Sequence, residues 1–178
     1  APECFIVEER LKAEMGIPVF HDDQHGTAIV VAAAIVNAMQ LLGKSLPLMK
    51  LVSTGGGAAG IACLNLLLTL GLKRENVWLC DIDGLVYEGR AADPQKAAFA
   101  QRTNARVLGD VIAGADIFLG LSGAGVLRSE HVKQMGANPL ILALANPVPE
   151  ILPEDAIAVR PDAIVATGRT DYPNQVNN

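Results

Sequence analysis

Leu51-Val52-Ser53-Thr54-Gly55-Gly56-Gly57-Ala58-Ala59-Gly60-Ile61-Ala62 reads as a buried strand, a glycine turn and the opening of a helix. Gly55, Gly57 and Gly60 stand at G-x-G-x-x-G spacing, the arrangement that seats a dinucleotide pyrophosphate. The first glycine permits a tight turn, the second lets backbone approach phosphate with no Cβ in between, and the third lets the helix lie against the strand. The free N–H groups and positive dipole end of that helix face the anion.

Three glycines alone are common in loops, so the flanks decide. An acidic residue is needed at the end of the next strand, about 20 residues on, to accept hydrogen bonds from a ribose. The run Asn76-Val77-Trp78-Leu79-Cys80-Asp81 closes on Asp81, 26 positions after Gly55 (81 − 55). Residues 61–70 between them form an apolar helix that Gly71 ends. The plainer alternative is a βαβ unit without a ligand; motif and context together favour the nucleotide.

The 178 residues suit one domain, or one domain with a piece of another. A hydrophobic fraction of 51% against 19% charged describes a globular chain. Aromatics are only 4%, so Ala, Val, Ile and Leu build the core, as suits parallel strands buried on both faces. The net charge of −5, with no basic stripe, excludes nucleic acid as an expected partner. Cys4, Cys63 and Cys80 have no metal-like spacing; buried thiols and a cytoplasmic location are expected, and the opening residues lack a signal-peptide layout. Residues 28–42 are very apolar but interrupted by Asn37 and Gln40, which predicts a buried core helix and no membrane partner.

Along the chain, residues 2–15 predict an amphipathic helix stopped by Gly16, and Ile17-Pro18-Val19-Phe20 a short strand. The polar segment His21-Asp22-Asp23-Gln24-His25-Gly26 then precedes a helix that Thr27 caps and that runs to Leu42. Asp93-Pro94 opens a helix from Gln95 to about Arg102, residues 108–113 form a short helix, and Ser129 caps another through Met135. Further strands are expected at 116–121, 140–145 and 163–167, followed by the turns Ser122-Gly123-Ala124-Gly125, Asn146-Pro147-Val148-Pro149-Glu150 and Gly168-Arg169-Thr170-Asp171. Strands alternating with helices give an α/β fold, a Rossmann-like doubly wound, mostly parallel sheet with helices on both faces. Ligands of such sheets lie beyond the carboxyl ends of the strands, which is where most of these polar turns gather.

Asp22 and Asp23 are adjacent carboxylates, which repel unless a cation or hydrogen bonds compensate them. A hard ion such as Mg²⁺ or Mn²⁺ suits their oxygens, while a solvated loop pair is the plainer reading. His21 and His25 lack a third zinc ligand and read as hydrogen-bonding or packing residues. Asn146 reads as a strand terminator and Asn177-Asn178 as a terminal pair, unless their amides meet a substrate carboxylate on the ligand rim.

Ile17-Pro18-Val19-Phe20-His21-Asp22-Asp23-Gln24-His25-Gly26-Thr27-Ala28 closely resembles the malic enzyme motif of the bacterial type. Residues 55–62, Cys80-Asp81-Ile82-Asp83-Gly84 through Glu88-Gly89-Arg90, Ala145-Asn146-Pro147 and residues 168–178 resemble the same family in the same order. The resemblance implies oxidative decarboxylation of (S)-malate to pyruvate and CO₂ with reduction of NAD or NADP and a divalent Mg²⁺ or Mn²⁺. It implies Asp23 as a metal ligand, Asp22 in the catalytic network, and Asn146 and Asn178 as malate-binding. It places Gly55, Gly57, Ala58, Ala59, Gly60, Asp81, Ser122 and Asn146 along the cofactor. Asp81 favours NAD, with Arg90 a source of charge for a 2′-phosphate, and a homodimer or larger assembly is implied.

The family's remaining metal ligands, a Glu-Asp pair, and its acid–base tyrosine and lysine have no match in this sequence, and Tyr87 and Tyr172 occupy other positions. The expected organisation is therefore residues 1–25 as the tail of an upstream substrate and metal domain with its linker. Residues 26–178 are the NAD(P)-binding domain, incomplete at its C-terminus and inactive alone. Competing readings are a noncatalytic dinucleotide-sensing or assembly module and another dehydrogenase of amino or hydroxy acids, which leaves the D-D-Q-H-G segment unexplained.

Overall fold

The computed structural model describes residues 2–178, so residue 1 of the expected tail lies outside the described residues. The elements in order are α1 (Pro2–Glu14), α2 (Asp22–Leu42), β1 (Leu51–Thr54), α3 (Ala58–Thr69), β2 (Val77–Asp81), β3 (Gly84–Leu85), α4 (Pro94–Ala97), α5 (Leu108–Val111), β4 (Ile117–Gly120), α6 (Ser129–Gln134), β5 (Leu140–Ala143), α7 (Pro153–Val159) and β6 (Ile164–Thr167). One six-stranded sheet runs in the order β3-β2-β1-β4-β5-β6, with only the β2–β3 pair antiparallel. Strand order reverses between β1 and β4, which opens a crevice at their carboxyl ends.

The register puts Leu51 beside Val77 and Ile117, and Ile117 beside Leu140. The period of two then divides the core. Leu51, Leu79, Ile117, Leu119 and Leu142 pack under α2 and α3 with Ile35, Leu64 and Leu67. Val52, Phe118, Ile141 and Val165 face α5, α6 and α7 with Val111, Val132 and Ala156. Both faces are covered, which is why strands such as β1 and β4 are buried at every position. Leu64 is fully buried, and its truncation to Ala costs about 2–5 kcal/mol.

α2 is long and apolar enough to cross a membrane by length and composition. Here it sets Ala28, Val31, Ala32, Ile35, Ala38 and Met39 into the core. Residues 17–20 are irregular instead of a strand: Pro18 has no N–H for a ladder, and Ile17 and Phe20 stand largely exposed. α2 begins at Asp22 instead of after Thr27, with His21 at its N-cap, because an acidic pair suits the unpaired N–H groups of a first turn. The expected helix from Gln95 to Arg102 ends at Ala97, since Gln101 returns to bond Val86 and Glu88 beside β3. Arg128, not Ser129, is the N-cap of α6, and the Arg128 N–H meets His131 Nδ1 at 3.3 Å. α7, unexpected from the sequence, starts on Pro153 with Glu154 and Asp155 in its first turn.

Candidate functional site

The glycine turn is built by collisions that only glycine avoids. Gly55 has φ +105°, and a Cβ there would run into the Leu121 carbonyl. A Cβ on Gly60 would strike the Gly55 carbonyl, so the third glycine lets α3 abut the turn. A Cβ on Gly57 would meet nothing within 4 Å, and the space opens into the cleft. Ala58, Ala59 and Gly60 form the first turn of α3, whose N–H groups have no intrahelical acceptor. The turn is pinned by Gly55 N–H to the Cys80 carbonyl (2.9 Å) and Leu121 N–H to the Thr54 carbonyl (2.8 Å). The cleft of about 890 Å³ lies over these strand ends, within the range of cofactor sites. Gly55, Gly57, Asp81 and Ser122 all line it, together with the apolar Ile82 and Val107.

Asp81 closes β2 as expected, but its carboxylate is already engaged. Oδ1 accepts from Arg90 Nη2 at 2.6 Å and from the Asp83 N–H at 3.0 Å; Oδ2 accepts from Lys96 Nζ at 3.0 Å. Burial pushes its pKa up, yet Arg90, Lys96 and the Asp83 N–H outweigh burial and hold it below the ordinary value. The bond to Asp81 in turn raises Lys96. Asp83 and Asp93 flank the two cations, at 3.4 Å from Arg90 and 3.6 Å from Lys96. Three carboxylates against two cations leave this corner at −1 (2 − 3).

On the other side of the crevice, Ser122 follows β4 and Asn146 follows β5 on an exposed cis Asn146-Pro147 bond. Ser122 and Ala145, the residue before Asn146, are joined through Glu150, a fully buried carboxylate that accepts from Ser122 N–H (2.8 Å) and Ala145 N–H (3.0 Å).

A separate corner forms where the C-terminal residues return to α2. Asn178 Nδ2 donates to Asp22 Oδ2 at 2.7 Å and to the Asp22 carbonyl at 3.2 Å. Gly26, one turn into the helix, lies beneath them, and a Cβ there would meet both the Asp22 and Asn178 side chains. Asp23 is exposed, and among the described residues no side chain bonds its carboxylate. The other side of this turn is fastened by buried Glu8 of α1, which takes His25 Nε2 at 2.7 Å, Lys12 Nζ at 2.9 Å, Gln24 Nε2 at 3.2 Å and the His21 N–H at 3.3 Å. Burial raises the Glu8 pKa, but Lys12 and His25 prevail and keep it low. His25 therefore serves packing and hydrogen bonding, as expected.

As a place for a divalent ion, the corner offers hard oxygen donors of the right type. Asp22 is tied to Asn178, which leaves Asp23 as the carboxylate with no bonded side chain among the described residues, and no group of three His, Cys, Asp or Glu among them could hold an ion by itself. The donor chemistry fits Mg²⁺ or Mn²⁺ while the donor number needs completion by other groups.

The structure thus joins Asp22 with Asn178, and separately gathers Gly55, Gly57, Asp81 and Ser122 on one cleft. No contact joins Asp23 or Asn146 to either group among the described residues. Lys96 and Glu150 escape a sequence reading: nothing in the glycine motif points to a lysine 15 residues beyond Asp81 (96 − 81), and a glutamate after two prolines reads as surface. Only the Asp93-Pro94 helix opening hints that Lys96 sits on a fixed first turn.

Residues 24–178 match the family model described as malic enzyme, NAD binding domain. The chain is 62% identical to an NAD-dependent malic enzyme of Rhizobium meliloti and 60% identical to an NADP-dependent malic enzyme of Haemophilus influenzae, over 100% of this chain in each case. It covers 23% and 24% of those proteins, so it spans about a quarter of the length of the curated relatives it matches. Among solved structures, the NAD-dependent malic enzyme of Thermotoga maritima superposes with a TM-score of 0.91 at 44% identity, across 99% of this chain and 48% of that one.

Proposed function

The chain belongs to the malic enzyme family, as its NAD(P)-binding domain, and from that membership we propose that it serves the oxidative decarboxylation of (S)-malate to pyruvate and CO₂. The observation that carries this reading is the Gly55–Gly57–Gly60 turn, open at Gly57 to a cleft over the strand ends. The pyrophosphate lies on that turn and on the N–H groups of Ala58 and Ala59. Adenine packs its apolar faces near Ile82 and Val107, and the nicotinamide lies towards Ser122 and Asn146 across the reversal of strand order.

Asp81 meets the adenosine ribose, sharing a carboxylate already held by Arg90 and Lys96. A 2′-hydroxyl can donate to it, whereas a 2′-phosphate would enter a corner of net charge −1 and compete for Lys96. NAD is therefore the preferred cofactor, with NADP admitted when Lys96 leaves Asp81.

Asn146 and Asn178 hold malate through amide N–H groups. Asn178 now gives its hydrogens to Asp22, so a malate carboxylate competes with Asp22 for them. Asp22 belongs to the network that handles the proton of the malate hydroxyl. Asp23 is this chain's ligand to Mg²⁺ or Mn²⁺; when bound, such an ion polarises the hydroxyl and carboxylate of the substrate. The acid and base that move protons at the hydroxyl and at C3 come from outside this chain, with residues 1–25 the end of the unit that supplies them. A homodimer or larger assembly in the cytoplasm belongs to the same proposal, and buried Cys63 and Cys80 thiols suit a reducing compartment.

The test is a calorimetric titration of the 178-residue chain with NADH, NADPH and malate. Binding of NADH more tightly than NADPH supports the reading, as does absence of malate turnover until a polypeptide carrying the remaining catalytic groups is present with Mn²⁺. Turnover by the chain alone, or no dinucleotide binding, contradicts it.

A further inference from the structure

Glu150 places a carboxyl group where a charge is expensive. It is fully buried, and among the described residues no cation reaches it. Oε1 accepts from the Ser122 N–H at 2.8 Å and lies 3.2 Å from Ser122 Oγ, while Oε2 accepts from the Ala145 N–H at 3.0 Å. Ser122 Oγ also reaches Thr54 Oγ1 at 2.9 Å. One carboxylate thus ties together the ends of β1, β4 and β5, the three strands that flank the reversal of strand order. Gly120 makes the room: a Cβ there would stand 2.6 and 2.8 Å from the two Glu150 oxygens.

An apolar side chain of similar size would fill this space without desolvating a carboxylate, and replacing buried charge by packing is often neutral or stabilising. The reason for an acid lies in what its oxygens accept. What the acid does, and an apolar group cannot, is accept two backbone N–H groups beside the crevice: those of Ser122 and Ala145, the neighbour of Asn146.

We infer that Glu150 is a positioning residue for the nicotinamide half of the cofactor, holding Ser122 and Asn146 at the height where the ring and its ribose meet them. This rests on the dinucleotide reading above. Adenosine and pyrophosphate are held on the other side, by the glycine turn and the Asp81 corner, so Glu150 acts on one half of the ligand only.

The test compares NADH with ADP-ribose, which lacks the nicotinamide, on the purified 178-residue chain by calorimetry. Glu150→Gln keeps the size but turns an N–H donor towards either Ser122 N–H or Ala145 N–H. It is expected to weaken NADH by about tenfold, the scale of one lost hydrogen-bonded contact, and ADP-ribose by less than about twofold. Should Glu150→Gln not fold, the double variant Gly120→Ala/Glu150→Ala fills the vacated space with a methyl group and is read for the same ratio. An unchanged ratio of the two affinities, or equal loss for both ligands, overturns the inference. Failure of the parent chain to bind either ligand removes the dinucleotide reading and this inference with it.

Discussion

At the end of β2, the Asp81 carboxylate is held by two cations; at the start of α2, Asp22 and Asp23 stand side by side with an amide and, among the described residues, no cation. The first corner is internally balanced to within one charge and lines the cleft, where the proposed reading has it accept a neutral hydroxyl. The second keeps unbalanced negative charge at the surface, where a helix N-terminus alone offsets it. On the proposed reading, the compensated charge frames the dinucleotide and the uncompensated charge receives a cation brought from outside. Substitutions should therefore damage stability and cofactor binding together at the first corner, and do neither at the second.

The largest contrast is between two glycines. Gly55→Val puts a branched side chain at φ +105° against the Leu121 carbonyl, and should cost about 3 kcal/mol or more and abolish NADH binding. Gly26→Ala displaces only the Asp22 and Asn178 side chains and gains helix propensity of about 1 kcal/mol, so α2 should melt no earlier while Asn178 loses its seat. Thermal unfolding of both variants with and without NADH reads the difference.

Removing a cation from the first corner comes next. Arg90→Leu leaves Asp81 Oδ1 without its 2.6 Å partner and should cost about 1–3 kcal/mol in urea titrations at pH 7. The Asp81 pKa is lowered in the folded chain, so its contribution is present above the unfolded value near 3.9 and disappears as pH falls through the folded value. The gap between the parent and Asp81→Asn should accordingly narrow below about pH 4; a gap constant down to pH 2 breaks the account of this corner.

At the second corner the effect on the chain should be small. Asp23→Asn changes an exposed carboxylate and should alter stability and NADH affinity by no more than about 0.5 kcal/mol, while Mn²⁺ dependence is lost when the remaining catalytic groups are present. The smallest expected signal is none: Cys63 and Cys80, their thiols pushed up to about 12 by burial, should resist alkylation at pH 7 until the chain is unfolded.

The sheet was legible because its signals are local. Apolar runs at β1, β2, β4, β5 and β6 sit between turn residues, and the βαβ unit carries its own glycine and acid markers. The start of α2 was not, because His21-Asp22-Asp23-Gln24-His25-Gly26 has poor helix propensity and is held helical by a distant partner, Glu8, which fastens three of those residues. The state of Asp81 was equally hidden. The role proposed for it follows from its place after β2, but its engagement by Lys96 depends on where α4 stops, and that is decided by Gln101 pairing beside β3. The buried place of Glu150 stays hidden because nothing in the sequence shows that Gly120 leaves it a hole.

The most direct measurement is NADH titration of Gly57→Ala beside the parent chain. Gly57 has φ −81° and nothing within 4 Å of a Cβ, so alanine fits the backbone and leaves the melting temperature where it was. If the pyrophosphate rests on this turn, the added methyl group stands in its way, and NADH should bind at least about tenfold more weakly. Undiminished NADH affinity in a normally folded Gly57→Ala chain would contradict the placement of the cofactor and everything derived from it.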